Sequence, residues 1–169
     1  MKLFPKILLI TALALTFIYS GCDDPTNPFF RETDFSTVPD PIDFSGVEPV
    51  EKDNGLVYYI IEEGKEESGA SVVTRDAVQL FVTMRTKDGD ILQSTYANGR
   101  TNPENVSVNN LSPQGLREGI IGMKEEEIRV LVIPPSLGFA NVSQQSQFFE
   151  YREDTLVIEI ELVQILQTD

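Results

Sequence analysis

Residues Leu156–Leu162 constrain this chain most. Leu156, Ile158, Ile160 and Leu162 point one way, and Glu159 and Glu161 the other. A half-buried strand of an antiparallel sheet produces that period of two. Such a strand needs partners, and five more segments read as strands. Leu56–Glu62 is rich in aromatic and β-branched residues, and Val78–Met84 follows a polar loop. Asp88-Gly89 turns the chain into Ile91–Tyr96, a hairpin signal. Asn105–Val108 is short, and Ile128–Ile133 places Ile128, Val130 and Val132 on one face.

One segment reads as a helix. Ser112 suits an N-cap and Pro113 the first helical position. Leu116, Ile120 and Met123 then recur at helical spacing and make one apolar stripe. The Lys124–Glu127 run reads as a solvated turn behind it. One helix against an antiparallel sheet of five to six strands is an α+β arrangement.

The N-terminus carries an address. Lys2 and Lys6 precede 13 nearly all apolar residues, Ile7–Tyr19. About 20 are needed to span a bilayer, so residues 1–21 read as a cleavable export signal. Ser20-Gly21-Cys22 resembles a bacterial lipobox, although Tyr19 stands where an aliphatic residue is usual. Cys22, the sole cysteine, excludes an intrachain disulfide and is the expected lipidation site. Acyl chains contribute about 0.8 kcal/mol per buried methylene, so several would hold the protein on a membrane.

Residues 22–51 read as this cysteine and a flexible tether. Asp23–Glu51 contains five prolines, several acids and no sustained period. As a coil it would reach about 30 Å. Phe29, Phe30, Phe35 and Phe44 are unusual for a spacer and fit a partner motif or packing onto the domain. Residues 52–169 are enough for one core.

Charge and composition exclude several function classes. Loss of the signal removes two of the 13 basic residues and none of the 27 acidic ones, so the net charge of −14 deepens. Phosphates repel such a chain, which argues against nucleic acid. There is no histidine, which excludes His-based triads and most catalytic zinc sites. No calcium-loop motif is present, and neither metal nor cofactor is expected.

Five stretches, in order, resemble the FKBP-type peptidyl-prolyl isomerases. They are Asn54–Gly64, Val78-x-Leu-x-Val with Lys87-Asp-Gly89, Gly115-Leu-Arg-Glu-Gly119, Pro135-Ser-Leu-Gly-Phe139-Ala and Thr155–Leu162. The resemblance implies a curved half-barrel sheet wrapped around the helix. It also implies a hydrophobic pocket that twists X-Pro bonds, with proline-containing polypeptides as clients. Its pocket positions fall on Val82, Leu92, Gln93, Leu116, Phe139 and Ile158. The loop after Phe139 overhangs the pocket in the family, so Phe148, Phe149 and Tyr151 would form a lip.

The family's tyrosines are replaced by Val82 and Phe139, its aspartate by Gln93 and its tryptophan floor by Leu116. Three lost polar contacts at about 1 kcal/mol each amount to roughly two powers of ten in rate. The expectation is a membrane-anchored, extracytoplasmic isomerase of low activity, working as a monomer on exported proteins. The alternatives are an inactive binding or chaperone lipoprotein, a structural lipoprotein of an envelope or motility complex, and a surface protein with an unrelated small β fold. Val82, Leu116 and Ile158 also suit plain core positions.

Overall fold

The alternation at the C-terminus builds the centre of the sheet. The computed structural model describes residues 32–65 and 70–166, and the architecture below belongs to the unit that begins at Thr33. Seven antiparallel strands form one sheet: β1 (Val50–Glu51), β2 (Val57–Glu62), β3 (Ala77–Thr86), β4 (Ile91–Ser94), β5 (Glu104–Ser107), β6 (Ile128–Ile133) and β7 (Leu156–Leu166). The order is β1-β2-β6-β7-β3-β4, and β5 pairs with the first half of β3. β3 and β7 pair from Ala77↔Leu166 to Thr86↔Leu156. The five to six expected strands are therefore seven, because β1 is a two-residue edge with no pattern to read. Register shifts at Ile60/Glu62, Gln79/Leu80 and Met84/Arg85 bend the sheet, as bulges do.

The one α-helix among the described residues, α1 (Gln114–Ile120), lies on the concave face. It starts one residue later than expected. Pro113 is extended (φ −74°, ψ 178°) and stands outside, and no side chain caps the helix. The Leu116 and Arg117 amides bond the Pro113 carbonyl instead. Leu116 and Ile120 turn inward as the stripe requires, whereas Met123 lies beyond the helix and is buried there.

The helix rests directly on β6. A Cβ on Gly119 would stand 2.3 Å from Leu131 Cδ1, and one on Gly115 2.4 Å from Ile133 Cγ2. Leu131 and Ile133 are fully buried and cannot easily move aside. Overpacking of this kind costs about 1–3 kcal/mol, against about 1 kcal/mol gained in helix propensity. Gly119→Ala should therefore lose up to about 2 kcal/mol of stability, read from the urea midpoint, and lift the helix from the sheet.

Two sequence expectations are corrected here. Residues 33–51 are not a free tether, because from Thr33 onward the chain straps the convex face. Asp34 and Asn98 exchange bonds at 3.0 and 2.7 Å. The Ile42 amide donates to Glu159 Oε1 (2.7 Å), Arg85 Nη2 donates to the Pro39 carbonyl (2.6 Å), and Phe44 packs on Tyr59. The period of two showed that Glu159 and Glu161 leave the core, but not that another segment would meet them. Residues 22–31, with Cys22, lie outside the described residues. The second correction concerns the Lys124–Glu127 turn. Glu127 is buried and paired with Arg129, because the turn folds back against β7 through Leu162.

Tyr96 sits beneath the strap, stacked on Phe81 and donating to Glu161 Oε2 at 3.2 Å. Burial, reinforced by the Glu161 charge, pushes its phenol up to about 12. An unfolded tyrosine titrates near 10. Between those values the folded chain keeps a proton that the unfolded chain has lost, so stability falls as pH rises through that window. A titration at 295 nm should show one phenol ionising last. Tyr96→Phe should remove that step and flatten the alkaline decline in stability.

Candidate functional site

Strand alternation carries one row of β3 to the helix side. Val78, Leu80, Val82 and Met84 all point there and are buried. Leu116 faces them from α1 and is 3% exposed. Gln93 pairs with Met84 across the β3–β4 ladder, so it shares that face, and it stands exposed at the rim. Between them opens a groove of about 290 Å³, closed on its far side by Val106, Leu111 and Ser112 and edged by Glu104, Asn105 and Asn110. The floor is apolar. The rim offers amide groups, the Glu104 carboxylate and the Ser112 hydroxyl. Such a surface can bind and orient an apolar ring and its neighbouring carbonyls.

The structure brings together three of the six expected pocket residues, Val82, Gln93 and Leu116. Leu92 lines a neighbouring cavity instead. Phe139 and Ile158 do not line the groove. Ile158 is fully buried in β7 opposite Leu131 and Met84, and Phe139 is 2% exposed. Phe139 lies flat against Phe148, with ring centroids 4.4 Å apart. Of the expected lip, Phe148 thus turns inward and shares the neighbouring cavity with Tyr151, while Phe149 lies under the Arg152 guanidinium. With no hydroxyl to satisfy, Phe139 is free to pack as core, which is why its pocket assignment fails.

Leu80 and Met84 were missed at the sequence level, although they share Val82's alternation. Val106 and Leu111 had no signal of their own. The pairing of β5 with β3 carries Val106 to the groove, and the turn at Val108–Asn110 then brings Leu111 there.

A bulged antiparallel sheet curved around one helix, with an apolar-floored groove between them, defines an α+β half-barrel fold. The family model of the FKBP-type peptidyl-prolyl cis-trans isomerases matches residues 69–163, and the chain belongs to that family. Solved structures agree. FkpA from Escherichia coli is 27% identical with a TM-score of 0.56; the match covers 69% of this chain and 51% of FkpA, so the chain spans about half that protein's length. A peptidyl-prolyl cis-trans isomerase from Pseudomonas syringae matches at 20% identity and a TM-score of 0.56, over 70% of this chain and 81% of that one. The N-terminal domain of FKBP42 from Arabidopsis thaliana matches at 19% and 0.59, over 78% and 99%. These last two likenesses concern the fold alone. Comparison with curated protein sequences returns no match.

Proposed function

We propose that this protein is a membrane-anchored, extracytoplasmic peptidyl-prolyl cis-trans isomerase of low catalytic power that assists the folding of exported proteins. The observation that carries the reading is the groove between α1 and β3, with Val82, Leu116 and Gln93 at the family's pocket positions. An X-Pro bond turns over a barrier of about 20 kcal/mol that arises from amide resonance. An apolar floor disfavours the planar, charge-separated amide, while rim groups hold the flanking carbonyls. Catalysis of this kind is tighter binding of the twisted state than of either planar one. Here only Gln93 replaces the family's carboxylate, so the binding difference is small and the rate is low.

One observation favours a second reading, a proline-binding chaperone without turnover. Phe139, at the family's loop tyrosine, is committed to its stack on Phe148 and presents nothing to the groove.

A protease-coupled assay of the full chain on an X-Pro tetrapeptide separates the two. The isomerase reading expects a rate above the uncatalysed one that falls on Leu116→Ala. A rate equal to the uncatalysed one, with the circular dichroism of a folded chain, leaves the chaperone. The anchor rests on the Ser20-Gly21-Cys22 pattern. Palmitate labelling in cells should be lost in Cys22→Ser, and labelling that persists would remove the lipid from the proposal.

A further inference from the structure

A second cavity, of about 360 Å³, opens beside the groove at the outer edge of β4. Gln93 lines both, so they meet at that side chain. Leu92, Phe148, Tyr151 and Phe35 of the strap form its apolar walls and Glu150 stands among them. β4 ends the sheet, and among the described residues no strand pairs with its outer side. An edge of this kind accepts an extended backbone.

Glu150 is the one charged residue that lines this cavity. Glu150 lies against the Tyr151 hydroxyl, and Asp90 and Asp154 are close enough to add to its effect; together they hold that phenol above its ordinary range. The only basic residue of the 141–154 loop, Arg152, is engaged by Glu153 at 3.0 Å and by the Phe149 carbonyl at 3.2 Å. Three aromatic rings with a carboxylate among them suit one kind of side chain. The long stem of a lysine or arginine packs on the rings while its charged end reaches the acids.

We propose that this cavity is a client subsite that takes a lysine or arginine from an extended segment whose proline occupies the neighbouring groove. The proposal rests on the proline-binding reading above, and adds to it a preference for basic residues near the proline.

Fluorescence anisotropy of the full chain tests it with three labelled peptides: Lys-Ala-Leu-Pro-Phe-Ala-Lys, the same with both lysines changed to glutamate, and the same with proline changed to alanine. The lysine peptide should bind about tenfold tighter than the glutamate peptide. The pair Glu150→Gln with Asp154→Asn should reduce that ratio to about twofold or less. Glu62→Gln with Glu63→Gln, exposed and toward the opposite edge, should leave it unchanged. No lysine preference, or equal loss in both variant pairs, overturns the subsite, since net charge alone would then be at work. If the alanine peptide binds as tightly as the proline peptide and keeps the lysine preference, the proline reading fails and the subsite stands.

Discussion

Arg129→Met is expected to destabilise the domain by about 3–5 kcal/mol. Arg129 is 5% exposed and Glu127 4%. Its Nε donates to Glu127, its Nη1 donates to the Gly119 carbonyl at 2.9 Å, and the guanidinium lies 4.5 Å from the centre of the Tyr58 ring. The arginine therefore caps the end of α1, ties it to β6 and neutralises a buried carboxylate. Methionine replaces the stem but leaves Glu127 charged and alone, which is the expensive way to break a buried pair. At a slope of about 2 kcal/mol per molar urea, the unfolding midpoint should fall by about 2 M. Adding Glu127→Leu should recover part of the loss by removing the orphaned charge. The recovery is incomplete because the Lys124 amide, which donates to Glu127 Oε2 at 2.9 Å, then has no acceptor. An Arg129→Met chain as stable as the parent would show that the carboxylate is hydrated, and would detach the helix end from this account.

Val82→Tyr combined with Gln93→Asp is expected to raise kcat/KM for an X-Pro tetrapeptide by about 30–150-fold. Both positions line the groove, so a hydroxyl and a carboxylate placed there meet the substrate. Two contacts at about 1–1.5 kcal/mol each, made better in the twisted state than in the planar ones, yield that range. Phe139→Tyr is expected to add nothing. Its ring is stacked on Phe148 and 2% exposed, so a new hydroxyl would be buried without a partner and would cost about 1–2 kcal/mol of stability. If the double variant shows no gain while its fold is intact, the groove does not hold the proline. A gain from Phe139→Tyr instead would mean that the 141–154 loop opens in solution and exposes that ring.

The comparison of Val82 with Phe139 shows how far residues alone reach. The resemblance pairs each of them with a tyrosine of the family, and neither carries a hydroxyl. Val82 sits on a strand whose period of two fixes its side, and it lines the groove as expected. Phe139 sits in a loop with no period, and its direction was decided by Phe148, nine positions along the chain. Lys124–Glu127 repeats the lesson. Four charged residues in a row look solvated, yet one of them is buried because an arginine two residues later turns in beside it. Phe29, Phe30, Phe35 and Phe44 were the hints that the stretch before residue 52 is more than a spacer.

Strand and helix identity, the inward row of β3 and β7, and the order of the family's stretches were determined by the residues themselves. Each depends on periodicity or on neighbours a few positions apart, which a linear reading can resolve. The strap across the convex face, the Phe139–Phe148 stack, the buried Glu127–Arg129 pair and the two cavities that Gln93 lines were decided only by tertiary structure. Each joins groups whose meeting is set by how turns and loops fold back on the sheet, and no local pattern encodes where those segments come to rest.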